Sequence, residues 1–169
     1  MKLKYQIAHM QAAHIYANLS SAQRLKVGAI IVKDDRIISI GYNGMPSEWD
    51  NTCEIKEYME PDAASWLSLD EINKQWPNEE VVDGKVWRYK LKTKPEVLHA
   101  EMNALMKLAR STESGLNSSL FITHSPCLDC AKGIYQAGIK EVFYTTDYRS
   151  TEGIEFLTKC GIEVKKIDV

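Results

Sequence analysis

Four side chains in two short stretches have the types and spacing to do chemistry together. In "VLHAEMNALMKLAR" (97–110), His99 and Glu101 stand two positions apart; in "HSPCLDC" (124–130), Cys127 and Cys130 stand three apart. A helix turns about 100° per residue, so positions two apart leave about 200° apart and share no face. An imidazole and a carboxylate so separated suit two tasks, one holding a metal and the other moving a proton. If Pro126 leads into a helix, the two thiols fall about 60° apart on one face and form a two-point chelate.

One histidine and two cysteines make a ligand set for zinc. Three protein ligands and a place for water are the composition of a catalytic site, whereas a closed structural site needs a fourth Cys or His. Cys53 and Cys160, the other two cysteines, lie in different contexts, and the expectation is one zinc per chain. A redox dithiol is the competing reading of Cys-x-x-Cys, but no thioredoxin-like pattern surrounds this pair. Zinc lowers the pKa of water from about 15.7 to about 7. Helices opening at His99 and at Cys127 would turn their positive ends toward the metal and favour thiolate. Glu101, kept off the metal, is then free to take a proton from water and return it to substrate nitrogen.

These residues need a frame to hold them. Leu3, Ile7, Met10, Ala13 and Ala17 follow helical spacing and predict a first helix over 3–19. Two β-branched runs, 27–33 and 36–42, flank Asp34–Asp35 and read as a hairpin. After the helix that starts near His99, "SLFIT" (119–123) and "EVFYTT" (141–146) read as strands, with a helix in "CLDCAKGIYQA" between them. A last helix over 151–160 leads into "IEVKKI". Gly138 and Gly161 both stand at helix ends before an isoleucine, a repeated unit that implies right-handed crossovers and parallel strands. The fold class is α/β: three layers, α/β/α, around a five-stranded mixed sheet, an initial hairpin followed by βα units.

Residues 47–95 interrupt this single domain of 1–169. Too long for a bare loop, the insertion is expected to hold a short helix with Trp66, Leu69, Asn73 and Trp76 on one face, ended by Pro77. Asp83–Gly84 marks a type I′ hairpin within it. All four tryptophans (49, 66, 76 and 87) lie here and read as a mini-core, with a lid or a subunit contact as the sharper alternative.

Composition sets outer bounds. The chain has 169 residues, 44% of them hydrophobic and 26% charged, with a net charge of −2. No overall basic field favours nucleic acid, and no apolar run nears the roughly 18 residues that span a membrane. A reducing, cytoplasmic location is the expectation. His9 and His14 read as packing or surface residues of the first helix, His124 as a strand end near the site, and Cys160 as a buried thiol.

His-Ala-Glu followed by Ser-Pro-Cys-x-x-Cys resembles the zinc-dependent cytidine deaminase-like superfamily, whose signature is H-x-E…P-C-x-x-C. Within it, "VGAIIVKDDRIISIGYNGMPS", "HAEMNALMKLAR" and "SPCLDCAKGIYQAGIKEVFY" are similar to the deoxycytidylate (dCMP) deaminases of phage and bacterial type, "GYNGMP" being the most discriminating part. The resemblance implies hydrolysis of dCMP to dUMP and ammonia, with zinc on His99, Cys127 and Cys130 and with Glu101 as proton shuttle. It further implies that Asn43 addresses the deoxyribose and that the backbone at Ala100 and Ser125 addresses the base edge. Arg24, Lys26, Tyr148 and Arg149 are the phosphate candidates. Gly41, Tyr42 and Gly44 resemble an effector-binding loop, and Arg110 an arginine near the subunit contact. The family is often hexameric, activated by dCTP with Mg2+ and inhibited by dTTP. Some phage members hold a second zinc partly through a cysteine where this chain has Ala22. Rival readings are a deaminase acting on dCTP, on a nucleoside or on a nucleic-acid base, and a catalytically silent nucleotide-binding zinc protein.

Overall fold

The computed structural model describes residues 1–60, 62 and 65–169. In chain order the elements are α1 (Leu3–Ala17), β1 (Gly28–Lys33), β2 (Arg36–Tyr42), β3 (Glu54–Tyr58), α2 (Leu69–Gln75), β4 (Asn78–Val82), β5 (Lys85–Thr93), α3 (Ala100–Ala109), β6 (Ser119–His124), α4 (Leu128–Gln136), β7 (Glu141–Thr146), α5 (Glu152–Lys159) and β8 (Glu163–Lys166). Asp34 and Asp35 have φ of 50° and 57°, the two positive values that a type I′ turn requires, and β1 and β2 pair antiparallel across them. β1 also pairs antiparallel with β6, while β6, β7 and β8 run parallel, giving the order β2-β1-β6-β7-β8. This is the expected five-stranded mixed sheet.

Strand alternation divides the core into two layers. Ile30, Val32, Phe121 and Phe143 face α1, where Met10 and Ala13 are fully buried, and Phe121 stacks on Phe143 with ring centroids 4.7 Å apart. Ala29, Ile31, Leu120, Ile122 and Val142 face the other way and pack against Leu105 and Leu108 of α3, Ile134 of α4 and Leu157 of α5. The first helix ends at Ala17, two residues short of expectation, and Leu19 is exposed. His9 packs on Phe121 and His14 bonds Thr145, as their helix positions implied. Gly138 and Gly161, at φ of 76° and 78°, stop α4 and α5 in the left-handed conformation read from the sequence.

The insertion forms a second, three-stranded antiparallel sheet in the order β3-β5-β4, with Asp83 and Gly84 at φ of 51° and 73° in the predicted hairpin turn. Ser68 and Glu71 cap α2 reciprocally in a capping box, worth about 1 kcal/mol. Two expectations fail here. α2 spans only Leu69–Gln75, so Trp66 precedes the helix and Trp76 follows it instead of sharing its face, and the buried residue of α2 is Ile72. Nor do the tryptophans gather into a mini-core: Trp49, Trp66 and Trp87 are exposed, and Trp76 is half-buried beneath the Lys90 ammonium. A seven-residue helix and a three-stranded sheet have too little apolar area on facing surfaces to enclose four indoles. Among the described residues, no helix is long and apolar enough to cross a membrane.

Candidate active site

The ends of β6 and β7, the start of β1 and the exit of β2 meet along one edge of the main sheet, because β1 runs antiparallel to both β2 and β6. Crossover loops after parallel strands are where α/β sheets place ligands. Here the edge receives the first turns of α3 and α4. The lead-in to α3 is pinned from β2. Gly44 and Leu98 exchange backbone hydrogen bonds of 3.2 and 2.9 Å, and the Asn103 side chain donates to the Tyr42 carbonyl at 2.7 Å. Gly41 lets α3 settle close, since a Cβ there would lie 2.1 Å from the Ala100 carbonyl oxygen.

His99 is the residue before the first turn of α3, with φ −73° and ψ 150°. It is extended, not helical, so the 200° step inferred from the sequence does not apply; the change of conformation between His99 and Ala100 separates it from Glu101. Cys127 occupies the same position before α4, and Cys130 lies in that helix's first turn. His99 Nδ1 is 3.6 Å from the Cys127 sulfur and 3.4 Å from the Cys130 sulfur. Among the described residues this is the one group of three metal-ligating side chains that comes together. A tetrahedral zinc with Zn–N of about 2.0–2.1 Å and Zn–S of about 2.3 Å separates nitrogen from sulfur by about 3.6 Å. The three residues therefore fit zinc and leave a fourth position free of protein ligands.

Glu101 is buried at 4% exposure on the same stripe of α3 as Ala104, Leu105 and Leu108. Burial raises its carboxyl to about 7, against the opposing pull of its own backbone N–H and of His99. A group so poised both accepts and releases a proton near neutrality. The Cys127 thiol is lowered to about 4 by hydrogen bonds with Cys130 and His99, and His99 is raised by the same bond to Cys127. Cys130 is pushed upward by its contact with Cys127 and by burial. The Cys127 thiol and the His99 imidazole thus face each other at two helix N-termini, where the dipoles favour negative charge.

His99, Glu101 and Cys127 open on a cleft of about 800 Å³. Of the residues singled out in the sequence, Arg24, Asn43, Ala100, Ser125, Tyr148 and Arg149 line it, and so does His124. The Asn43 amide also clamps the approach to β1, accepting from Val27 N and donating to Leu25 O, both at 2.8 Å. Ser125 Oγ accepts from Tyr148 N at 2.8 Å, tying the loop after β6 to the loop after β7. Lys26 does not line the cleft, although Leu25 and Val27 on either side of it do. Gly41, Tyr42 and Gly44 lie against α3 and its lead-in, outside the cleft, and Arg110 is exposed at the far end of α3, about 15 Å from its start. Cys53 is buried against Ala22 and Val97, whereas Cys160 is half-exposed at the end of α5, contrary to expectation. Sequence reading missed Lys92, Thr93 and Lys94, which the insertion brings into the wall. Their signal was the alternating cations of "RYKLKTKP", a pattern shared by any solvated strand face.

Water activated at a three-ligand zinc site, beside a carboxylate able to carry its proton to a leaving amine, is the chemistry of the zinc-dependent deaminases, and the chain is of that class. It belongs to the family described as the cytidine and deoxycytidylate deaminase zinc-binding region, whose model matches residues 3–146. Deoxycytidylate deaminase of Enterobacteria phage T4 is 33% identical over 172 residues, spanning 92% of this chain and 86% of its own. Human deoxycytidylate deaminase is 36% identical over 140 residues, 82% of this chain and 62% of its own. Among solved structures, the dCMP deaminase of cyanophage S-TIM5 in complex with dCMP and dUMP is similar with a TM-score of 0.75 and 40% identity, over 99% of both chains.

Proposed function

We propose that the protein hydrolyses dCMP to dUMP and ammonia, supplying dUMP for thymidylate synthesis. The observation that carries this reading is the placement, in one cleft, of a buried carboxylate beside the His99–Cys127–Cys130 chelate and of Arg24 and Arg149 in the same lining. Zinc held by those three residues supplies an electrophile that brings water to ionisation near neutral pH. Glu101 takes the proton from water as its oxygen bonds to C4 of the cytosine, and delivers it to N3. Glu101 then takes the remaining water proton from the C4 hydroxyl and gives it to the exocyclic nitrogen; the C4–N bond breaks as the C4 carbonyl forms, and ammonia leaves. The Ala100 backbone and Ser125 fix the base edge, Asn43 addresses the deoxyribose, and Arg24, Tyr148 and Arg149 take the 5′-phosphate.

The same reading extends to one zinc per chain and to a homo-oligomer, a hexamer, with Arg110 at a subunit contact. It includes regulation, with dCTP and Mg2+ activating and dTTP inhibiting, through Gly41, Tyr42 and Gly44. An ammonia-release assay over dCMP, dCTP, CMP and deoxycytidine, with and without dTTP, tests substrate and regulation together. Preferred turnover of dCMP is the expected result; equal turnover of deoxycytidine sinks the nucleotide reading.

A further inference from the structure

The root of the insertion is joined to the cleft by hydrogen bonds that the catalytic chemistry does not use. Glu54 opens β3 and faces Thr93, the last residue of β5, in register. It is buried at 6% exposure, and its Oε1 accepts from both Gln23 N and Arg24 N at 3.1 Å. Thr93 Oγ1 in turn accepts from the Arg24 guanidinium at 3.2 Å, and Lys94 N donates to the Cys53 carbonyl at 2.9 Å. The loop that brings Arg24 to the cleft is thus held by the first residue of β3 and the last of β5, so the insertion presets where that cation stands.

The same root adds its own charge. Lys92 and Lys94 line the cleft with Arg24, and Arg149 joins them from the loop after β7. Lys92 is drawn to Glu57, 3.5 Å away, which Lys90 also engages at 2.6 Å. Among the described residues, Arg24, Lys94 and Arg149 are in no ion pair within 4.0 Å. The acidic lining, Glu101, Asp129 and Glu152, comes from α3, α4 and α5 instead. Positive charge therefore enters from the insertion root and its neighbouring loops, as a phosphomonoester dianion requires.

We propose that the root of the insertion builds the phosphate subsite: Lys94 and Lys92 contact the 5′-phosphate of the substrate beside Arg24, and Glu54 and Thr93 are positioning residues that hold Arg24 there. The inference rests on the nucleotide deaminase reading and assigns specificity for the phosphate to a segment outside the catalytic motifs.

The test compares dCMP with deoxycytidine, which lacks the phosphate, on the full zinc-loaded chain. In Lys94→Ala, KM for dCMP should rise about tenfold with kcat little changed, so that the dCMP-to-deoxycytidine ratio of kcat/KM falls about tenfold; Lys94→Arg should recover most of it. Thr93→Val keeps the shape but removes the acceptor and should lower the ratio about threefold. Glu54→Ala should lower it as well, with rescue by Glu54→Gln, whose amide oxygen still accepts both N–H groups. If Glu54→Ala does not fold, the Lys94 and Thr93 variants decide. A double variant, Lys92→Ala with Lys94→Ala, that keeps the wild-type ratio overturns the inference while leaving the deaminase reading intact. If wild type itself shows no preference for dCMP, inorganic phosphate titrated onto the protein and followed by tryptophan emission decides, since all four indoles lie in the insertion. Binding seen in wild type and lost in the double variant upholds the subsite; no binding, or equal binding, overturns it.

Discussion

Glu101 is a carboxylate on a helix stripe that otherwise carries Ala104, Leu105 and Leu108. Burying a carboxyl among apolar neighbours is costly, and in the proposed reaction the compensation is a proton acceptor beside the residues that would hold zinc. Glu101→Gln keeps the shape and removes the proton-carrying group. It should leave one zinc per chain by metal analysis and cut ammonia release about 10²–10⁴-fold; substantial remaining turnover would refute the shuttle role. The ligands behave differently. Cys127→Ala removes the thiol lowered most strongly by its neighbours and should lose zinc and activity together, with no recovery when zinc is added back. Wild type stripped by a chelator should regain activity on zinc addition.

Two helices and one strand exit set the distances within the site. The chelate exists because α3 and α4 begin at one edge of the sheet, each presenting a ligand just before its first turn. That edge depends on close backbone contact between β2 and α3 at Gly41, where an added Cβ would lie 2.1 Å from the Ala100 carbonyl oxygen and 2.6 Å from the Ala104 nitrogen. Backbone does not yield as a flexible side chain does. Gly41→Ala should therefore cost about 1–3 kcal/mol, lowering Tm by about 2–4 °C per kcal/mol in a chain of this size. Because the displaced element carries Ala100 and Glu101, activity should fall further than stability alone explains. Unchanged melting in calorimetry would show that α3 does not pack as described.

At the scale of the molecule, a three-layered α/β/α domain carries the inserted segment, and the insertion leaves large apolar groups in water. Trp66 is 72% exposed, Leu69 73%, Val81 69% and Val86 65%. Side chains of this kind, together with Arg110 at the far end of α3, are available to an assembly of copies. Sedimentation velocity should find a species near six times the 19.2 kDa chain mass; a monomer at micromolar concentration would remove the hexamer from the proposal.

Much of the frame was legible because short-range rules govern it. The β-branched runs around Asp34–Asp35, the glycines at 138 and 161 and the strands at 119–123 and 141–146 are local patterns, and each appears where its pattern placed it. His99, Glu101, Cys127 and Cys130 were legible for a chemical reason: few purposes want one imidazole, two thiols and a carboxylate at those spacings. What the sequence by itself determined was thus the four residues of the candidate site and the sheet that bears them. Only the tertiary structure decided that His99 is extended, that Ile72 and not Trp66 is buried, that Lys26 does not line the cleft, and that Lys92, Thr93 and Lys94 do. These outcomes depend on which surfaces meet. A strand of alternating lysines or a row of tryptophans has the same local pattern whether it meets solvent, a ligand or another element, and the three-dimensional packing selects among them.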